Sequence, residues 1–406
     1  QSPPKTIESG QALVIINDDR QSDDGKLRIG LCAIIFFPNG RVRGGEPPRD
    51  AIILEAPHGA ILQLDDNLSS GPTSLGRIQW GELRSQIHIY SDMNKSGPDD
   101  DLHIITSNLR LNESGLSTRD AVELKLGKHR GRGRGLEIRR LSQDRSRAPG
   151  GSLSGLDVLE TASEASLDLA TDDLKLFGIS LPEPADSLAL ATPGNALPAP
   201  ASKSPSSLPA PPIRIRCDGP FRYDFANNKA SFQQNVTARQ VQRDGQLDEL
   251  LADELNLYMI KSASEKCAAP PADGQPPKMF GNLEPGTLEA KGALVKLDAP
   301  SYDAMVLGQR LRIQIPQRLL TVDGGDEATL RYRDTEIHAP MVRYRIPPPE
   351  AATRLGEMRA AGRGWLRTVA DKRRPHERFE LSWSSEMRLD RENGMPTLSV
   401  VGRPRA

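Results

Sequence analysis

Apolar side chains recur at every second position along most of this chain. Ile87/Ile89, Val122/Leu124/Leu126, Leu136/Ile138, Leu311/Ile313/Ile315, Val342/Tyr344/Ile346 and Phe379/Leu381/Trp383 each alternate with polar residues. That is the period of a strand with one buried face. No long window carries the 3.6-residue period of an amphipathic helix, so the chain is predicted to be all-β. Between Leu102 and Leu111 the phase changes, from Leu102/Ile104 to Leu109/Leu111. Thr106-Ser107-Asn108 is therefore expected to hold a turn or bulge that re-aims the side chains. The apolar run Ile29 to Phe37 stops at Pro38-Asn39-Gly40. It is too short to span a bilayer and is read as a buried strand before a turn.

The pattern lapses most completely between Thr171 and Pro212, which ends in PAPASKSPSSLPAPP. Such a composition cannot bury enough apolar surface to offset chain ordering, and its latter part is read as an extended linker. The expected organisation is a first domain over 1–170, a linker over 171–212 and a second domain over 213–406. The segment Leu156–Leu169 still alternates at both ends and is placed with the first domain. Ser262–Pro285, with Pro270-Pro271 and Pro276-Pro277, is expected to bulge out as a loop within the second. Tyr302-Asp303 with Leu311-Arg312-Ile313 weakly echoes Tyr223-Asp224 with Ala230-Ser231-Phe232. Repeated strands of this kind need neighbours to form one continuous core.

The densest signal runs from Ile213 to Met259. Alternation at Ile213/Ile215/Cys217, Phe221/Tyr223/Phe225 and Leu255/Leu257/Met259 gives three or four short strands, punctuated by Gly219-Pro220 and Asn227-Asn228. Phe232, Asn235-Val236 and Ala252-Asp253-Glu254-Leu255 resemble the OstA repeat of the LptA/LptC lipopolysaccharide-transport family. Gly76-Arg77-Ile78, Leu102–Leu109, Leu116–Val122 and Gly131–Glu137 follow an order similar to the periplasmic part of LptC. The resemblance covers roughly 50–140 and 213–346. It implies two curved antiparallel β-jellyroll domains and a non-enzymatic periplasmic or cell-envelope protein. Such a protein shields the acyl chains of lipopolysaccharide, or a similar amphipathic lipid, in an apolar groove during outer-membrane assembly. Phe221, Tyr223, Phe232, Val236, Leu255 and Leu257 are the groove candidates, with Arg222 and Asn256 expected on the opposite face. The resemblance also implies strand-edge stacking on other envelope transport components and head-to-tail self-association. The final candidate strand, Leu398–Val401, is the expected edge. The family's membrane anchor is not present in these residues, and the opening Gln1 leaves room for an upstream leader or anchor. The alternative is a structural or adhesive envelope β-repeat protein that binds no lipid.

Composition narrows the chemistry. With 53 basic and 54 acidic residues the chain has no global field to gather nucleic acid or a membrane surface. Aromatic residues make up only 4%, which suits a thin layer of Leu, Ile and Val. Cys32, Cys217 and Cys267 are scattered and odd in number, so they form neither a metal motif nor a disulfide framework. Cys32 and Cys217 are read as buried thiols.

Gly131-Arg132-Gly133-Arg134-Gly135 lacks the spacing of a dinucleotide-binding loop. A nucleic-acid patch there would want aromatic residues for stacking, and the segment has none. The favoured reading is a glycine turn between Leu126 and Leu136 dressed in solvated charge. The alternative is contact of Arg130, Arg132 and Arg134 with an anionic ligand such as the phosphates of lipid A. Asp18-Asp19, Asp23-Asp24 and Asp99–Asp101 miss calcium-loop spacing. The histidines form no HxH or HExxH motif; His88 and His103 interrupt apolar strands and are expected on the other face of the sheet. No nucleophile elbow or phosphate loop occurs, and no cofactor, metal or catalytic set is expected.

Overall fold

A computed structural model of the chain describes residues 4–9, 12–17, 19–21, 26–37, 51–64, 78–91, 101–112, 115–127, 129–139, 158–170, 211–224, 227–242, 244–261, 283–347, 356–368, 379–392 and 395–405. The fold is all-β and antiparallel. Among the described residues the only helical segment is a single 3-10 turn, Pro300–Tyr302, and no helix is long and apolar enough to cross a membrane.

The strands in chain order are β1 (Lys5–Ser9), β2 (Ala12–Ile16), β3 (Asp19–Gln21), β4 (Leu27–Ile29), β5 (Cys32–Phe36), β6 (Ile52–Ala56), β7 (Ala60–Leu64), β8 (Ile78–Ser91), β9 (Leu102–Asn112), β10 (Gly115–Leu126), β11 (His129–Arg139) and β12 (Val158–Leu169). They continue as β13 (Ile213–Cys217), β14 (Phe221–Asp224), β15 (Lys229–Val241), β16 (Leu247–Lys261) and β17 (Leu283–Ala299). The last eight are β18 (Ala304–Gln314), β19 (Leu319–Tyr332), β20 (Thr335–Arg345), β21 (Glu357–Ala361), β22 (Gly364–Thr368), β23 (Glu380–Trp383), β24 (Glu386–Glu392) and β25 (Met395–Val401).

The chain divides into two compact units. One comprises Gln1–Leu169, Arg214–Ala238 and Leu251–Ala293; the other comprises Ala170–Ile213, Arg239–Leu250 and Leu294–Ala406. A composition-based boundary puts everything from 213 onward in the second domain, whereas Arg214–Ala238 groups with the N-terminal residues. The physical reason is strand pairing. Val158, Leu159, Glu160 and Thr161 of β12 pair with Asp224, Tyr223, Arg222 and Phe221 of β14, so hydrogen bonding resumes beyond the Pro-rich segment. Residues 171–210 of that segment lie outside the described residues, as do 262–282 of the expected loop; its last residues, Leu283–Pro285, instead begin β17.

In the first unit β8 is long enough to serve two neighbours on one side. Its N-terminal half pairs with β7 (Ala60↔Leu83, Leu62↔Gly81) and its C-terminal half with β6 (Ile53↔Tyr90, Glu55↔His88). From that fork one arm continues through β5, β2 and β1, the other through β4 and β3. On its far side β8 pairs with β9, followed by β10, β11 and β12. Inward residues of alternating strands form the core: Ile16, Ile34, Leu54, Leu62, Leu83, Ile87, Ile104 and Leu109 are fully buried. The run Ile29–Phe37 is not one strand. It breaks at Gly30-Leu31, where Asn17 N–H donates to the Leu31 carbonyl, and its halves belong to different arms.

In the second unit β18, β19 and β20 form a meander. β20 forks as β8 does: Met341–Arg345 pairs with β21 and Thr335–His338 with β22. Leu311, Val322, Val342, Ala360 and Met387 are buried along it, and Trp383 Nε1–H donates to the Gly362 carbonyl at 2.9 Å.

The long strands of the first unit bend at mid-length. Ser85, Asn108, Gly135 and Glu164 have φ of 59°, 49°, 71° and 54°, and Gln234 and Asn235 of 67° and 50°. Register shifts at Leu83/Gln86, Thr118/Ala121 and Arg132/Arg134 fall on the same line. Each is a bulge, in which one unpaired residue kinks its strand. Side chains stitch them together: the Asn108 carboxamide accepts from Ser85 N–H at 3.2 Å and donates to Asp120 at 2.7 Å, and Asn235 donates to Asp218 at 2.8 Å. The phase change expected at Thr106-Ser107-Asn108 is thus a bulge at Asn108. Burial follows Leu102, Ile104 and Thr106 before it, then Leu109 and Leu111 after it.

Candidate functional site

The inner face of the first unit's sheet is built from cross-strand rows. One row runs Leu116, Ile138, Leu159, Tyr223, Ala230 across β10, β11, β12, β14 and β15; the next runs Thr118, Leu136, Thr161, Phe221, Phe232. Phe221 and Phe232 pair directly, with ring centroids 4.9 Å apart and planes tilted by 40°. Beyond them Ile104, Leu124, Gly131 and Leu167 form a further row. Alternation dictates this arrangement, because successive residues of a strand project to opposite faces.

A small apolar cavity of about 20 Å³ lies among these rows. Ile104, Val122 and Leu124 line one part of it, Leu136, Leu159 and Thr161 another, and Phe221 and Phe232 a third. Gly131 and Gly133 form part of the remaining wall, beside Ala165, Ser166 and Leu167, and contribute no side chain to fill it. The glycine-rich segment is therefore not a turn, contrary to the favoured sequence reading. β10 ends at Leu126 and β11 begins at His129, with Gly127 between them at φ 54°. Gly131 and Gly133 sit at alternate positions of a strand, β11, and Gly135 at its bulge. The lack of a side chain at Gly131 and Gly133 serves the inner face: a Cβ on Gly133 would come within 3.0 Å of the Thr161 side chain.

Of the groove candidates, Phe221 and Phe232 line the cavity, with exposures of 7% and 0%. Tyr223 is half-buried in the adjoining row, and burial, with Asp224 beside it, raises its phenol pKa. Val236, Leu255 and Leu257 are buried but do not line the cavity. Arg222 is exposed. Asn256, on the same face as Arg222 and Ser231, is fully buried; its carbonyl oxygen accepts from Ser231 Oγ at 2.8 Å and its amide donates to Glu254. Thr161 and the two wall glycines escaped sequence reading, although alternation already marks Val122, Leu124 and Leu136 as inward.

Arg130, Arg132 and Arg134 lie together on the outer face of β11. Arg132 pairs with Glu123 at 4.0 Å and Arg134 with Glu164 at 3.7 Å. Arg130 stands in register between Lys125 and Asp168, and Asp168 bonds to Arg214 at 2.8 Å. Cations and carboxylates thus alternate across this face, and exposed pairs of this kind contribute little to stability. Burial pushes the Cys32 thiol up to about 11 and raises that of Cys217, so both behave as core hydrophobes. His88 Nδ1 and His103 Nε2 approach to 3.4 Å. Among the described residues no group of three His, Cys, Asp or Glu is placed to hold a metal ion.

No protein-family model matches the chain, and no curated protein matches it. Among solved structures it is similar to LptH from Pseudomonas aeruginosa, described as the LptA homologous periplasmic component of the conserved lipopolysaccharide transport device. The identity is 14% and the TM-score 0.23, over 33% of this chain and 76% of that chain.

Proposed function

We propose that the first unit binds an amphipathic lipid, with lipopolysaccharide as the ligand class, and shields its acyl chains during transport through the cell envelope. The observation that carries this reading is the inner face itself. Rows of apolar side chains from five successive strands border a void whose wall is left bare by glycine, while charged residues occupy the outer face. An acyl tail needs such a surface: each buried methylene contributes about 0.8 kcal/mol. A void of about 20 Å³ is a seed for that site; it has room for about one water-sized sphere. A tail is accommodated as the inner rows part, with Phe221 and Phe232 moving against the glycine wall. Partner docking is assigned to β25, which is hydrogen-bonded to β24 and leaves Leu398 41% and Val401 53% exposed.

The small volume of the cavity favours one second reading, a structural envelope protein whose strands bury only one another. Photo-crosslinkers separate the two. Placed at Phe221, Tyr223 and Phe232 they are expected to label lipopolysaccharide, whereas at the exposed Arg216 and Arg222 they are expected not to. Equal labelling of both faces, or none with folded protein and excess lipid, refutes lipid carriage and leaves the structural reading.

A further inference from the structure

The cavity wall contains one polar group with an unexplained state. Thr161 is 6% exposed, it lines the cavity, and its hydroxyl is buried without a hydrogen-bond partner. The neighbouring inward threonines are satisfied internally: Thr118 Oγ1 donates to the Ser107 carbonyl at 2.6 Å and Thr106 Oγ1 to the Ala121 carbonyl at 3.0 Å. Both use a backbone carbonyl that the bulges leave within reach. Thr161 stands between Leu136 on β11 and Phe221 on β14, and neither side chain offers a polar atom. Gly133 keeps the hydroxyl bare on its remaining side, since a Cβ there would lie 3.2 Å from Oγ1. A buried hydroxyl without a partner is costly, and in a native structure it calls for a specific explanation. A single trapped water is a poor one. Buried waters make about three hydrogen bonds, and among the described residues the other polar side chains lining the void are Ser166 and Arg132, the latter exposed on the outer face.

Resting on the lipid-binding reading above, we infer that Thr161 is the polar anchor of the groove and donates its hydroxyl proton to the carbonyl oxygen of an ester- or amide-linked acyl chain. Such a chain combines the two properties this wall selects. It has a long apolar body, which lies against Gly131 and Gly133 where no side chain intervenes. It also has one strong acceptor at its end, matching the one unsatisfied donor. A plain alkyl chain fills the same apolar space and leaves the hydroxyl unpaired, so the site discriminates acyl from alkyl lipids.

The test uses the full chain and two phosphatidylglycerols of equal chain length, one diacyl and one dialkyl, supplied as monomers. Both compete for the site against the apolar fluorophore N-phenyl-1-naphthylamine. The unmodified protein is expected to prefer the diacyl lipid by about three- to tenfold, the range of one net hydrogen bond. Thr161→Val keeps the shape and removes the donor. It is expected to abolish the preference by weakening diacyl binding alone, whereas Thr161→Ser retains it. Thermal melts supply a second readout: Thr161→Val should melt no lower than the unmodified protein, because it removes an unsatisfied group. Equal binding of the two lipids, or a preference unchanged in Thr161→Val, overturns the anchor while lipid carriage stands. A clear drop in melting temperature on Thr161→Val means the hydroxyl has a partner within the protein and also overturns it. If neither lipid competes, lipid carriage and the anchor fall together.

Discussion

The three glycines of β11 meet different surroundings, Gly131 and Gly133 on the inner face and Gly135 at a bulge, so adding the same methyl group to each has three different expected outcomes. At Gly131 a Cβ would sit 3.5 Å from Leu124 Cβ and Cδ2 and from Leu167 Cδ1, ordinary contact distances. Gly131→Ala loses unfolded-state entropy without strain and is expected to stabilise by about 0.4–1 kcal/mol. At Gly133 the new atom would meet Thr161 Cβ and Cγ2 at 3.0 Å and Oγ1 at 3.2 Å. Thr161 must give way against Leu136 and Phe221, so Gly133→Ala is expected to cost about 1–2 kcal/mol. At Gly135 φ is 71° and Ala162 Cβ would lie 3.0 Å away. Left-handed backbone alone costs about 1–2 kcal/mol, so Gly135→Ala is expected to be the most destabilising of the three. Native-state hydrogen exchange by mass spectrometry, read on peptides covering β10 to β12, reports these differences locally. Equal losses at the three positions, or the largest loss at Gly131, would refute the placement of Gly131 and Gly133 on the inner face and of Gly135 at a bulge.

Phe232→Ala should destabilise the first unit by about 3–5 kcal/mol, because Phe232 is fully buried against Phe221; a urea midpoint lowered by under 1 kcal/mol equivalent would show that the pair is not part of the core. In the second unit, hydrogen bonds from Arg388 and Arg359 hold the Glu386 carboxyl down to about 2, from an ordinary value of 4.5. A depressed folded pKa stabilises above the unfolded value, and this contribution is lost as pH falls through the folded one. The thermal midpoint is therefore expected to fall more steeply between pH 4.5 and pH 2 in the unmodified protein than in Glu386→Gln, and parallel curves would count against the pairing.

Much of the architecture is legible in the sequence because one-sided burial leaves a period of two. That period fixes which residues face inward, and even the phase change at Asn108 can be read from Leu102/Ile104 and Leu109/Leu111. Strand length and partnership are harder to read. Lys229–Val241 is a long strand, although Asn235 has the character of a turn residue, because the left-handed backbone of a bulge uses the same chemistry as a turn. The glycines of β11 mislead for a related reason. Glycine marks a place where a side chain is not tolerated, and composition alone does not separate a tight turn from a crowded inner face. The pairing of β12 with β14 crosses a long segment that carries no alternation, so no local pattern announces it. Thr161 looks like any other polar member of a strand until its cross-strand neighbours are known.

The line of bulges also governs where this fold accepts changes in length. At Asn108 the left-handed residue acts as a one-residue spacer between two half-strands that keep opposite phases. Deleting Asn108 would restore strict alternation through β9 and would turn either Leu102, Ile104 and Thr106 or Leu109 and Leu111 toward water. Residues gained or lost at the strand tips change no phase. Length variation among homologous chains is therefore expected to collect at the hairpin ends, while the spacing between each bulge and its flanking apolar residues stays constant from strand to strand.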